Sequence, residues 1–245
     1  MKNVLEICAG DIDSVLAAAR GGAQRVELCS ALALGGLTPS LGFINQAVKV
    51  KELRVHVLIR PREGDFVYTA DEVDVMLSDI DAAARAGAHG VVIGALQPDG
   101  SIDFEACRVM VDRAKAHGLS VTFHRAFDRS ADPLTALNQI IALGCDYLLT
   151  SGCASSAQEG VDMLHKLHTE AAGRITIIAA AGVNSANAAE ILRRSGCTQI
   201  HASARSAVPS RMLFCRSGVA MGSADSEANH LTTSQEEVSK IIQSI

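Results

Sequence analysis

The sequence contains no tryptophan, and aromatic residues make up only 3% of its 245 residues. Because apolar residues still amount to 48%, the core must consist of aliphatic side chains, which is typical of buried parallel strands and the helices that cover them. No apolar run is long enough to span a bilayer, and the residues after Met1 do not show the apolar region of a signal peptide. We therefore expect an α/β protein with a cytoplasmic location and no membrane partner.

An excess of one charge sign is also absent. The 22 Lys and Arg residues and 27 Asp and Glu residues are interspersed and give a net charge of −5. Because nucleic-acid binding needs a basic surface, we expect no nucleic-acid partner. The seven cysteines are odd in number, irregularly spaced and without a CxxC pair, which predicts reduced thiols rather than a disulfide framework.

Eight short apolar segments recur along the chain, and each of the first seven is followed by a helical pattern. They begin near Val4, Arg25, Arg54, His89, Leu119, Asp146, Arg174 and Gln199. No linker or change of composition divides the chain. The pattern predicts one (β/α)8 TIM barrel over residues 1–245, and a doubly wound open sheet is the alternative.

Capping signals mark several helix starts. Thr69-x-x-Glu72, Ser156-x-x-Glu159 and Ser234-x-x-Glu237 predict capping boxes. No amphipathic helix follows the eighth strand until Ser234, so residues 206–233 are predicted to form a long loop at the C-terminal face. We expect this loop to lie over the barrel mouth or in a subunit interface, where its Arg211 and Arg216 can reach an anionic ligand or a partner subunit.

Polar residues alternate with the apolar ones along several strands. In a closed barrel, alternate residues of each strand face the helices, and the residues between them face the interior. The residues predicted to face inward are Glu6, Cys8, Glu27, Cys29, His56, Leu58, Arg60, Thr122, His124, Thr150, His201 and Ser203. Charged groups and thiols are costly to bury without purpose, and ligands bind at the carboxyl ends of parallel strands. The mouth of the barrel is therefore the candidate site.

Four of these residues are candidates for acid–base catalysis: Glu6, Glu27, His124 and His201. Glu6 and Glu27 occupy matching places on adjacent strands, and Arg60 is the cation expected between them. The alternative is a buried Glu–Arg network that only fixes the register of the barrel.

A second set of residues is predicted to bind an anion. Small residues at Gly182 and Ser203, after the seventh and eighth strands, would let backbone N–H groups approach a phosphate, and Arg205 would add charge. Arg62 and Thr150 complete this predicted set together with Arg60. Small residues after the seventh strand also serve tight packing. No lysine ends a strand, which counts against Schiff-base chemistry.

The chain resembles the copper homeostasis protein CutC family nearly from end to end. The segments that carry the resemblance are Leu5-Glu6-Ile7-Cys8, Gly22-Ala23-Gln24-Arg25-Val26-Glu27-Leu28-Cys29, Gly35-Gly36-Leu37-Thr38-Pro39-Ser40, Ile59-Arg60-Pro61-Arg62-Glu63-Gly64-Asp65-Phe66, Thr122-Phe123-His124-Arg125-Ala126-Phe127-Asp128 and Leu149-Thr150-Ser151-Gly152. Glu63 departs from the glycine common in the family. The resemblance implies a cytosolic, often homo-oligomeric (β/α)8 barrel linked to copper tolerance, with no accepted enzymatic reaction.

Two classes of function follow. Cys8 and Cys29 match the cysteines proposed as Cu(I) ligands in the family, and soft Cu(I) favours thiolates. The first hypothesis is therefore a copper homeostasis protein that binds Cu(I) through them. The second is an uncharacterised enzyme, a lyase or isomerase, that acts by Glu and His acid–base chemistry on a small anionic metabolite. Two free cysteines that act as small core hydrophobes remain an alternative.

Overall fold

The computed structural model describes residues 3–214, Val219 and 229–245. Eight parallel strands close into a barrel in sequence order, and the first strand pairs with the eighth. The strands are β1 (Val4–Ala9), β2 (Arg25–Leu28), β3 (Arg54–Leu58), β4 (Gly90–Ile93), β5 (Ser120–Phe123), β6 (Tyr147–Thr150), β7 (Thr176–Ala179) and β8 (Gln199–Ala202). The predicted (β/α)8 barrel is confirmed, and the open-sheet alternative is wrong.

Helices follow the strands around the outside of the barrel. They are α1 (Ile12–Gly21), α2 (Leu41–Ala47), α3 (Ala70–Arg85), α4 (Phe104–Ala116), α5 (Pro133–Ala142), α6 (Val161–Ala171), α7 (Ala188–Ser195) and α8 (Gln235–Ser244). The Thr69–Glu72 capping box is confirmed. The box predicted at Ser156 is wrong, because α6 begins at Val161 and the Ser156 hydroxyl only caps the preceding turn. Within the described residues, no helix is long and apolar enough to cross a membrane.

The alternation of the strand residues separates two apolar layers. Outward residues such as Ile7, Val57 and Phe123 are buried against the helices in the main core. Inward residues form two smaller clusters inside the barrel, one of them containing Leu149 of β6. Because successive residues alternate, Thr150 faces the helices, and the prediction that it faces the interior is wrong.

The segment after β8 is not simply a loop. Its two described ends form an antiparallel hairpin of β9 (Arg205–Pro209) and β10 (Asn229–Thr233), so the loop prediction is wrong there. Arg211, between the strands, is exposed, whereas Arg216 lies outside the described residues.

The hairpin attaches to the start of α1. The backbone N–H of Thr233 donates to the Ser14 hydroxyl at 3.0 Å, and the Thr232 hydroxyl donates to the Asp11 carboxylate at 3.2 Å. Because α1 starts directly after β1, the described part of the hairpin lies at the rim of the C-terminal face. None of its described residues lines the cavity at the barrel mouth.

Candidate functional site

A cavity of about 150 Å³ opens at the carboxyl ends of the strands and is called the mouth cavity here. It is lined by Cys8, Glu27, Cys29, Gly35, Leu58, Arg60, Phe66, His124, Arg125, Ala126, Leu149 and His201. Five different strands supply or directly precede its polar residues. The structure thus brings together both predicted cysteines and four of the predicted polar residues, whereas Glu6 lies beneath the cavity.

The two cysteines face each other across adjacent strands. Cys8 of β1 is opposite Glu27 of β2, and Cys29 follows two residues further along. The two Sγ atoms are 3.6 Å apart. One oxygen of Glu27 lies within 4.8 Å of both sulfurs. Two thiols and a carboxyl group therefore converge on one point.

Beneath this cluster, Glu6 forms a buried ion pair with Arg25. Its other oxygen lies 2.7 Å from Nδ1 of His201. Arg25 also donates to Gln199 at 2.7 Å, and its guanidinium lies over the Tyr147 ring. The arginine that pairs with Glu6 is therefore Arg25, and the prediction that Arg60 lies between Glu6 and Glu27 is wrong.

The two thiols differ strongly in acidity. A hydrogen bond from the Cys29 thiol, helped by His201, lowers the pKa of Cys8 to about 5 in spite of burial. The same hydrogen bond and burial raise the pKa of Cys29 well above its usual value. At neutral pH, Cys8 is therefore a thiolate that accepts a hydrogen bond from the Cys29 thiol.

The carboxyl groups and His201 are also shifted. Burial opposes a charge on His201, but hydrogen bonds with Cys8 and Glu6 outweigh it and hold its pKa well above its usual value. Burial disfavours ionised Glu6 too, yet Arg25 and His201 bring the pKa of Glu6 below its usual range. Burial and the charge on Cys8 raise the pKa of Glu27 to about 8. Glu27 thus keeps its proton at pH 7 while His201 is charged.

Arg60 lines the other side of the cavity and is 5% exposed. Its Nη1 donates to the carbonyls of Leu34 and Gly36, and its Nη2 donates to the carbonyl of Gly64. The guanidinium lies 5.0 Å from the centre of the Phe66 ring. No hydrogen bond from Nε to any described residue is present.

His124 is buried beside Arg60. Burial and the charge of Arg60 lower the pKa of His124 to about 3, so its ring is neutral at pH 7. Nδ1 accepts a hydrogen bond from the backbone N–H of Ala126 at 3.1 Å, which leaves the ring proton on Nε2. His124 therefore offers a hydrogen-bond donor, and its low pKa argues against the predicted role as a general base.

Arg62 and Thr150 of the predicted anion-binding set do not reach the mouth cavity. Arg62 is on the surface, where it pairs with Asp65 and Glu72. The Thr150 hydroxyl donates to the carboxylate of Asp128. Both side chains are already engaged with carboxylates of the protein.

Ser203 and Arg205 lie elsewhere as well. They line a second cavity of about 400 Å³ together with Val183, Asn184, Ala204, Ser206, Ser234, Glu236, Glu237 and Lys240. Gly182 is not among its lining residues, and its carbonyl accepts from the Asn184 and Asn187 side chains. The predicted anion-binding set is therefore dispersed: only Arg60 lines the mouth cavity, and only Ser203 and Arg205 line the second cavity.

The sequence reasoning missed Arg25 and Phe66. Arg25 lies two residues before Glu27 and therefore faces inward as well, so the alternation that identified Glu27 also indicated Arg25. Phe66 follows β3 in an irregular segment, and no periodic signal marks it.

The donor set at the mouth fits a soft metal ion. With a metal–thiolate bond of about 2.3 Å, the length found for zinc, two sulfurs 3.6 Å apart subtend an angle of roughly 100° at a shared ion. Such an angle leaves room for a third ligand, and an oxygen of the Glu27 carboxyl group lies near both sulfurs. Two thiolates favour Cu(I) over hard cations such as Mg²⁺. No lysine is present among the described residues that line the cavity.

The CutC family model matches residues 3–206. A CutC protein of Vibrio cholerae serotype O1 is 48% identical over 225 residues, which cover 92% of this chain and 89% of the relative. A CutC protein of Photobacterium profundum is 45% identical over 242 residues, 98% of each chain. The crystal structure of CutC from Streptococcus agalactiae shares 33% identity at a TM-score of 0.78 and covers 82% of this chain and 98% of that one. The chain belongs to the CutC family.

Proposed function

We propose that this protein binds Cu(I) at the mouth of its barrel through Cys8 and Cys29 and serves in copper homeostasis. The observation that carries the proposal is the 3.6 Å separation of the two Sγ atoms, with the Glu27 carboxyl group within reach of both. The Streptococcus agalactiae neighbour bears the name copper homeostasis protein CutC, which supports the choice of metal.

The charges of the cluster suit a monovalent ion. Binding removes the remaining thiol proton of Cys29, because the thiolate is the form that ligates metals. Two thiolates and Cu(I) then carry a net charge of −1, which the positive charge of His201 beside Cys8 offsets. In the cytoplasm, the location expected from the sequence, thiols are kept reduced and available.

The proposal is tested by titrating the reduced protein with Cu(I) in competition with a chromogenic Cu(I) chelator under anaerobic conditions. We expect one ion per chain, and at least a hundredfold loss of affinity in the Cys8→Ser/Cys29→Ser variant. Equal retention of Cu(I) by the wild type and this variant would refute the proposal.

A matched control comes from the other cysteines. Cys145 and Cys197 are buried against the outer core, so a Cys145→Ser/Cys197→Ser variant also removes two thiols but leaves the mouth intact. Its Cu(I) affinity should equal that of the wild type. Cys153 is exposed and is replaced by Ser in every variant to remove adventitious binding.

A second candidate function, proton-transfer catalysis, is favoured by the chain of groups Glu6–His201–Glu27. Nε2 of His201 lies 3.7 Å from Glu27, and Nδ1 contacts Glu6. A carboxyl group kept protonated near pH 7 suits a general acid, and a histidine oriented by a second carboxylate suits its partner. Glu27 is then the proton donor of a lyase or isomerase.

This alternative is tested near pD 8 by hydrogen exchange at the carbon next to a carbonyl group, where ionised Glu27 removes the proton and its deuterated form returns a deuteron. Pyruvate is incubated with the metal-free protein in D₂O, and its methyl signal is followed by NMR. Catalysed deuterium uptake that disappears in Glu27→Gln would support the alternative. Equal uptake with wild type, Glu27→Gln and no protein would refute it for this class of substrate.

A further inference from the structure

The second wall of the mouth cavity presents two hydrogen-bond donors that no described residue accepts. Arg60 and His124 are each 95% buried and both line this cavity. Arg60 Nε and His124 Nε2 have no hydrogen-bond partner among the described residues. Buried polar groups in native proteins are normally satisfied, so two orphans in one cavity indicate a missing acceptor.

The Nε–H of Arg60 is its unpaired donor. Of the five N–H groups that an arginine carries, three donate to the carbonyls of Leu34, Gly36 and Gly64. The two that remain belong to Nε and Nη2, and the Tyr68 hydroxyl lies beside the guanidinium. Nε and Nη2 are the two nitrogens that a carboxylate can approach side-on. The three carbonyl contacts fix this edge in place before any ligand binds.

The charge of Arg60 is also unbalanced. Within the described residues, no carboxylate lies within ion-pair distance of its guanidinium, whereas Arg25 and Arg62 each have one. A buried charge without a partner is costly. Its environment is completed by the Phe66 ring, which contacts both Arg60 and His124. An anion in the cavity would supply both the acceptor and the countercharge.

We propose that the mouth cavity binds a small monocarboxylate, whose oxygens accept hydrogen bonds from Arg60 Nε–H and Nη2–H and from His124 Nε2–H. A planar two-oxygen group matches the edge of the guanidinium. The cavity of about 150 Å³ has room for an anion of the size of acetate or pyruvate. One free guanidinium and one neutral imidazole suit a single negative charge better than a phosphate dianion.

The donors of this site are not the copper ligands. Arg60 and His124 follow β3 and β5, whereas Cys8 belongs to β1 and Cys29 follows β2. The Cys8→Ser/Cys29→Ser variant, which tests the copper proposal, should therefore still bind the carboxylate. Failure of one proposal leaves the other standing.

The test uses the metal-free full chain, titrated with acetate and with pyruvate at constant ionic strength. Binding is followed by calorimetry and by the ¹H–¹⁵N resonances of the arginine Nε–H groups. We expect saturable 1:1 binding of at least one probe, with a shift of the Arg60 resonance. Arg60→Lys keeps the charge but removes the planar guanidinium with its paired N–H donors, and His124→Phe removes one donor. Each should therefore weaken binding at least tenfold.

Arg62→Lys is the matched control, because Arg62 lies two residues away with its guanidinium outside the cavity, and it should bind like the wild type. The proposal is overturned if neither probe binds the folded wild type, if Arg60→Lys binds as well as Arg62→Lys, or if inorganic phosphate binds more tightly than either carboxylate. Should Arg60→Lys fail to fold by circular dichroism, His124→Phe and the wild-type Arg60 resonance decide the matter.

Discussion

The carboxylate of Glu6 forms an ion pair with the guanidinium of Arg25 across the strands β1 and β2, and neither side chain reaches solvent. The second oxygen of Glu6 contacts Nδ1 of His201 and so fixes the position of the imidazole ring. The position and charge of His201, and through it the acidity of Cys8, therefore depend on a contact one layer beneath the cavity.

Replacing Glu6 with Gln should destabilise the fold by about 3–5 kcal/mol, because it leaves the buried guanidinium of Arg25 without its countercharge. The free energy of unfolding from urea denaturation measures this. Glu105→Gln removes a carboxylate from an exposed pair with Arg108, and its effect should stay below about 1 kcal/mol. Equal effects of the two substitutions would contradict the assigned role of Glu6.

The fold should lose stability in mild acid because of His56. Burial chiefly, with Arg25 and Arg54 adding to it, lowers the pKa of His56 to about 3. The unfolded chain binds a proton on this histidine below about pH 6.5, whereas the folded chain does not until near pH 3. Stability therefore falls as pH drops through this window, by up to about 1.4 kcal/mol per pH unit for each such histidine.

His56→Leu should flatten this dependence between pH 6.5 and 5, where the unfolded chain protonates His56 and the folded chain does not. His124 keeps its own contribution, since its pKa is also lowered. Urea denaturation at several pH values gives the slope. His168→Leu, at an exposed position on α6, should leave it unchanged. A His56→Leu slope equal to that of the wild type would show that His56 does not resist protonation in the folded state.

Much of this arrangement follows from the sequence, and particular residues show where that reasoning stops. Alternation along β1 and β2 correctly identified Glu6, Cys8, Glu27 and Cys29 as inward, because the period of two is fixed by the backbone. Thr150 was placed wrongly, because a strand shifted by one residue turns every side chain to the opposite face.

Arg60 marks a second limit. It lines the cavity as predicted, but it lies two residues after the end of β3. Its side chain donates to the carbonyls of Leu34, Gly36 and Gly64, in irregular segments that no periodic pattern describes. The hairpin after β8 was missed for a related reason. Its two strands are separated by a long intervening segment, so no short turn marks their pairing.

Cys8 should be alkylated faster than Cys153 at pH 7, although Cys153 is more exposed. Burial and Asp128 raise the pKa of Cys153 to about 11, whereas the Cys29 hydrogen bond lowers that of Cys8 to about 5. Iodoacetamide reacts with thiolates, and peptide mass spectrometry gives the rate at each site.

Cys29→Ala removes the hydrogen bond that stabilises the Cys8 thiolate, so alkylation of Cys8 at pH 6 should slow down. Cys107→Ala, in the outer core, should not change it. Faster labelling of Cys153 than of Cys8 in the wild type would contradict the assigned charge of Cys8.

Close packing around His124 predicts the effect of a small substitution. A Cβ at Gly94 would lie 2.5 Å from Cε1 of His124, so Gly94→Ala should cost about 1–3 kcal/mol. Gly42 lies in α2, where an added Cβ has no neighbour closer than 3.9 Å, and Gly42→Ala should stabilise by roughly 0.5–1 kcal/mol. Thermal unfolding by circular dichroism distinguishes the two. A Gly94→Ala variant as stable as the wild type would show that this packing is loose.

The most direct test of copper binding is a crystal of the protein grown with Cu(I) under anaerobic conditions, with diffraction recorded on both sides of the copper absorption edge. We predict one anomalous peak per chain between the Sγ atoms of Cys8 and Cys29, within bonding distance of both and beside the Glu27 carboxyl group. A peak at any other place, or no peak between the two sulfurs at full copper loading, would contradict the account.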